Sequence, residues 1–154
     1  MNEMCLALGI YARKTWIMPY SVYDSECHVV NEIYDHTYQK WIMLDITNDA
    51  YWVDEAGTPL SIYEIRQYGA EQIFCTPIVG NDEKKEFTTE YLHNRLKKNY
   101  DYYLYILKDI AYFEYLETYS VGEDDVYYDL LPKGYGTGQK EISLDSCMKA
   151  PDIS

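Results

Sequence analysis

HVVNEIY at residues 28–34 and WIMLDIT at residues 41–47 are two apolar runs separated by DHTYQK, residues 35–40. How they pair decides the fold. Both are rich in β-branched and aromatic residues and are joined by a short polar connection, so they read as an antiparallel hairpin. With the turn centred between residues 36 and 37, partner numbers sum to 73 and His28 lies directly opposite Asp45. Val30 then faces Met43 and Glu32 faces Trp41, while Val29 and Leu44 share the other side. Directly opposed residues point to one face with Cβ atoms about 4.5–5.5 Å apart. A one-residue slip would separate the pair. Both faces are apolar near it, as expected of a central sheet.

Working outward, YARKTWIM (residues 11–18) reads as a further strand stopped by Pro19. Residues 1–8 read as the end of a helix, with Met1, Met4, Cys5 and Leu8 on one stripe and Gly9 as its stop. AYWV (residues 50–53) is a candidate fourth strand. Ser61 and Glu64 then form a capping-box pattern ahead of Ile65. Residues 72–79 are extended and broken by Pro77. A long tyrosine-rich helix is predicted over residues 89–118, capped by Thr88, with Leu92, Leu96, Tyr103, Leu107 and Ile110 at helical spacing. VYYDLLP (residues 126–132) is a last short element, and residues 134–154 read as a loose tail. The class is therefore α+β: a small antiparallel sheet, with three or four strands before residue 54, packed by helices. Three parts are expected: a core over residues 1–66, a helical extension over 67–133 and the tail over 134–154.

The net charge of −13 repels phosphate backbones and acidic membrane surfaces, so no nucleic-acid or membrane partner is expected. No run approaches the ~20 apolar residues of a membrane helix. The order of apolar and basic residues at the N-terminus is the reverse of a signal peptide, so a cytoplasmic location is expected for the chain as given. Cysteines 5, 27, 75 and 147 form no CxxC pair and read as reduced, buried small hydrophobes. His28, His36 and His93 lack metal-ligand spacing, so neither a metal nor another cofactor is expected. The 19 tyrosines can form an aromatic ligand surface, but a half-buried packing face is the expected reading.

A histidine beside a carboxylate is a general base held in one tautomer, and with a cysteine it makes a nucleophilic thiolate–imidazolium pair. The same geometry also occurs as a structural ion pair. The surrounding residues extend the pattern. LALGIYAR contributes Gly9, Ile10, Ala12 and Arg13; HVVNEIY contributes His28, Asn31, Glu32 and Tyr34; WIMLDIT contributes Trp41, Leu44, Asp45 and Thr47. In order and spacing these resemble the transglutaminase-like branch of the papain-type cysteine protease superfamily. The likeness covers residues 6–47 and extends to about 66 through LSIYEIR.

That resemblance implies a partial papain-like fold, with residues 1–66 as the C-terminal part of its core. It also implies His28 as base and Asp45 as its orienting acid. Complete relatives form a thioester from a peptide or protein amide and pass it to water or an amine. Val30 and Ile46 depart from the pattern at a usual tryptophan and a usual proline. A larger departure concerns the nucleophile, which the family carries at the start of the helix leading into Gly9. Cys5 lies at that helix's C-terminal end, where the dipole disfavours a thiolate. The chain is therefore expected to be a truncated copy, inactive alone. Two alternatives are a non-catalytic binding domain using the acidic, tyrosine-rich C-terminal half, and a nucleophile helix supplied by another chain. The oligomeric state is open.

Overall fold

The computed structural model describes residues 1–19, 27–47, 50–70, 76–79, 83–84, 106, 112–116 and 126–152. Its elements in chain order are α1 (Asn2–Ala7), β1 (Ala12–Met18), β2 (His28–Asp35), β3 (Lys40–Asp45), β4 (Ala50–Val53), α2 (Ile62–Ala70), β5 (Thr76–Val79), β6 (Glu83–Lys84), β7 (Tyr112–Leu116), β8 (Tyr127–Leu130) and α3 (Leu144–Met148). The strands form one eight-stranded antiparallel sheet in the order β6-β5-β4-β3-β2-β1-β7-β8. With the helices, the class is α+β. No helix among the described residues is long and apolar enough to cross a membrane.

Each early element has a local cause. Gly9 adopts φ 72°, and Ile10 N donates to Cys5 O at 2.8 Å while Gly9 N donates to Leu6 O at 3.0 Å. This is a Schellman stop, and the left-handed φ favours glycine there. The stripe expected to bury α1 does not do so. Of its members only Cys5 is buried, Met1, Met4 and Leu8 are 43%, 70% and 75% exposed, and Asn2 joins Cys5 on the buried side. At α2 the capping box forms as read: Ser61 N donates to Glu64 Oε2 at 2.7 Å and Glu64 N to Ser61 Oγ at 3.3 Å.

The β2–β3 hairpin forms with a different register. Asn31 pairs Leu44 and Glu32 pairs Met43, so partner numbers sum to 75 and not 73. The cause is Asp35, whose Oδ1 accepts from Thr37 N at 2.8 Å and Tyr38 N at 2.9 Å. Gln39 closes the turn at φ 52°. An aspartate bonding forward to the backbone is a turn initiator, and here it centres the loop one residue later. The resulting shift of two preserves every side chain's face. Nor are both faces equally buried. Along β2 the residues alternate, with His28, Val30, Glu32 and Tyr34 buried and Val29 38% exposed.

The second half corrects the helical expectation. Tyr112–Leu116, placed inside the predicted 89–118 helix, is strand β7, antiparallel to β1. Phe113 and Tyr115 point inward while Tyr112 and Glu114 remain partly exposed, a period of two that suits aromatic β-formers. Apart from Ile106, the rest of that predicted helix lies outside the described residues, as does Cys75. The extension expected to be helical therefore contributes β5 to β8 to the same sheet. The segment expected to be a loose tail is packed: α3 starts at the N-cap Ser143 and buries Cys147. One core joins Ile17, Val30, Met43, Trp52, Phe113 and Cys147 with Ile62 and Ile65 of α2. Each fully buried aliphatic or aromatic side chain there contributes about 1.5–3 kcal/mol.

Candidate functional site

His28 opens β2 directly across from Ile17 of β1, and Asp45 ends β3 across from Ala50 of β4. Continuing the hairpin register places Asp45 opposite Val30, two residues from His28 on the same face. Such diagonal neighbours are roughly 7–8 Å apart at the backbone, within reach of long side chains. The imidazole spans that gap, with His28 Nε2 2.9 Å from Asp45 Oδ2. The pair is buried, with His28 5% and Asp45 0% exposed. The residues read as facing each other therefore meet, but diagonally. Engaged in this way, the carboxylate fixes the ring's orientation, and proton exchange with a nucleophile would pass through Nδ1.

No described cysteine is placed at this pair. Cys5 O accepts from Ile10 N at the turn into the Tyr11 end of β1. His28 stands across from Ile17, six residues further along β1 and ~20 Å of strand away. Cys27 immediately precedes β2, where alternation turns it away from the His28 face. Cys147 lies beside Arg13, whose Nη1 donates to its carbonyl at 2.5 Å. Arg13 is four residues, or ~13 Å of strand, from Ile17. Burial, with the Glu32 charge, raises the Cys147 thiol pKa although Arg13 and Tyr115 act against this. It is a poor nucleophile in this setting. No group of three or more His, Cys, Asp or Glu among the described residues is arranged to hold a metal.

Other residues of the quoted motifs build a second centre on the same face. Arg13 Nε donates to Glu32 Oε2 at 2.8 Å, and Nη2 lies 2.7 Å from that oxygen. Glu32 is fully buried, and its Oε1 accepts from Ile62 N at 3.1 Å, tying β2 to the start of α2. The Arg13 guanidinium lies over the Trp41 ring at 4.0 Å and the Tyr115 ring at 4.3 Å. Burial would lower the Arg13 pKa, but Glu32 and the Tyr115 and Cys147 groups raise it on balance. Tyr115 is held well above its ordinary value by burial and then by the Glu32 charge. Trp41 Nε1 donates to Lys149 O at 3.0 Å. Beside these groups is a cleft of about 730 Å³, bounded by Tyr11, Arg13, Trp41, Tyr115, Cys147 and Pro151 among others. Its far wall comes from the segment read as a tail, and Tyr115 from a segment read as helix. The alternation of Phe113 and Tyr115 with Glu114 was a local sign of the strand, and no local pattern marks the docking of the tail.

No protein-family model, no curated protein and no solved structure matches the chain.

Proposed function

We propose that this chain is a transglutaminase-like domain of the papain-type superfamily, with His28 and Asp45 as the general-base half of a cysteine-type acyl-transfer site. The buried 2.9 Å contact between them, at the two motif positions, carries the reading. Asp45 orients the imidazole and stabilises the imidazolium, and His28 takes the proton of a thiol. The thiolate attacks a peptide or glutamine-type amide, an amine leaves, and water or another amine resolves the thioester. Since no described cysteine stands at His28, residues 1–154 alone are proposed to be inactive. A cysteine reaching His28 from preceding residues or from another chain would complete the site.

The test extends α1 upstream of Met1 with a helix bearing a cysteine about four turns before Gly9. The expected result is rapid alkylation of that thiol by iodoacetamide near pH 6, lost in His28→Ala. A thiol that titrates near the ordinary ~8.5, whether or not His28 is present, would sink the proposal. A second reading is a non-catalytic binding domain, which the cleft beside Arg13 and Trp41 favours. Peptide or glycan affinity indifferent to His28→Ala, with no reaction in the extended protein, would select it.

A further inference from the structure

Exposed apolar side chains are scattered singly on most surfaces, but here they gather beside the cleft. Met4 and Leu8 are mostly exposed, and Leu6 and Ile10 are 42% and 38% exposed. Leu6 and Tyr11 line the cleft of about 730 Å³, and Leu8 and Ile10 lie between them in the chain. Inside the cleft the apolar wall continues through Leu116, Ile142 and Pro151. An apolar patch rimmed by polar groups marks an interaction surface.

Two observations say what fits it. The first is the state of the backbone around it. β1 and β7 are paired on both sides, and Tyr34 N donates to the Tyr11 carbonyl at 2.9 Å. β8 is the last strand of the sheet, but at Asp129 its outer side is engaged by Lys140 O at 2.8 Å and Ile142 N at 2.9 Å. A partner therefore finds no open strand edge there to extend. It must offer side chains, as a helix lying in a groove does.

The second observation is charge. Glu3 is the only charged side chain in residues 1–11. Residues 140–152 expose Lys140, Glu141, Asp145, Lys149 and Asp152, which are acidic on balance. Lys149 is paired with Asp152 at 3.7 Å, and the Arg13 guanidinium is held by buried Glu32. Glu141, on the cleft wall, continues a row of carboxylates through Asp129 and Glu114 on neighbouring strands. This rim, on a chain of net charge −13, draws a cationic partner. A second copy lacks that chemistry: in the described helices NEMCLA, IYEIRQYGA and LDSCM only Arg66 is basic.

We propose that the cleft and the exposed side of α1 form a groove for a basic amphipathic helix of another protein. The apolar stripe of that helix lies against Leu6, Leu8 and Ile10, and its Lys or Arg side chains meet Glu141 and Asp152. The surface is separate from the His28–Asp45 pair and does not rest on the acyl-transfer proposal.

The probe is a fluorescent peptide of about five helical turns, with Leu at helical spacing and Lys on the other face. It is titrated with the full chain and followed by anisotropy, and a twin with Glu in place of Lys is the control. The Lys peptide should bind saturably, at least ~10-fold tighter than its twin, and more weakly as salt rises. Leu6→Gln with Leu8→Gln should weaken binding ~10-fold or more, since each buries apolar area only in the complex. Both residues are already exposed, so the urea midpoint should stay close to that of the wild type. Glu141→Lys should weaken binding at least ~3-fold. Equal binding of the two peptides, or no saturable binding of the Lys peptide, would overturn the proposal. So would binding indifferent to the Leu6 and Leu8 substitutions, because net charge alone would then account for it. Self-association in sedimentation that Leu8→Gln abolishes would overturn it too, by making the occupant a second copy.

Discussion

Arg13 and Glu32 are directly opposed on β1 and β2, and the guanidinium approaches a single carboxylate oxygen, Oε2, through both Nε at 2.8 Å and Nη2 at 2.7 Å. Glu32 is completely buried, and its other oxygen holds the backbone of Ile62. With Arg13 Nη1 on the Cys147 carbonyl, these motif residues are thus assembled into a joint linking two strands, α2 and α3. Removing one partner strands the other's charge, a loss of ~3–5 kcal/mol. Arg13→Met should therefore lower stability by about that much in urea unfolding. Arg13→Met with Glu32→Leu together should cost less than the sum of the singles. An additive double variant would mean that the two side chains are not coupled.

The capping box at Ser61 offers a smaller, local check. Its hydroxyl both donates to Glu64 Oε2 at 2.9 Å and accepts from Glu64 N at 3.3 Å. Ser61→Ala should cost ~1 kcal/mol, measured as a shift of the urea midpoint with unchanged slope. Ser61→Asp, which can still accept from Glu64 N, should cap the helix yet place a negative charge beside Glu64, so a smaller recovery is expected than from Ser61→Thr.

Features set by adjacent residues were legible before the structure. β1 to β4, the Gly9 stop and the Ser61–Glu64 cap all depend on local patterns. The hairpin register was misjudged because Asp35 was read only as a loop residue, whereas its carboxylate organises Thr37 and Tyr38. The same-face relation of His28 and Asp45 survived because an error of two leaves strand alternation intact. β7 was missed because an aromatic-rich run supports both a helical and a strand period, and its partner β1 lies about a hundred residues earlier in the chain. The docking of Cys147 depends on Arg13 and Tyr115, distant positions that no local pattern connects.

The His28–Asp45 contact predicts a tautomer. Asp45 can accept only from a protonated Nε2, so the neutral ring should carry its hydrogen there. Nitrogen-15 shifts of the neutral imidazole should report the Nε2–H form. Asp45→Asn, nearly unchanged in shape, introduces an amide donor that favours the other tautomer. The nitrogen shifts should then exchange in sense with little loss of stability. Unchanged shifts in Asp45→Asn would show that Asp45 does not set the ring's state.

A carboxylate pair on the opposite face makes the stability of the β7–β8 edge depend on pH. Glu114 and Asp129 are direct cross-strand partners. Burial and then the charge of Asp129 raise the Glu114 pKa. Burial and Glu141 likewise raise Asp129, despite an opposing hydrogen bond from Thr137. A carboxyl whose folded pKa exceeds its unfolded one binds its proton more tightly when folded. The stability this gives is fully present below the ordinary carboxylate range. It is lost as pH rises through the raised folded values. Melting temperature should therefore fall over that interval, and Glu114→Gln should flatten the fall. At neutral pH, removing one of two opposed like charges should raise the melting temperature by about 1–3 °C. Thermal melts at half-unit pH steps from 4 to 8 measure both effects. A profile identical in wild type and Glu114→Gln would exclude this pair as their source.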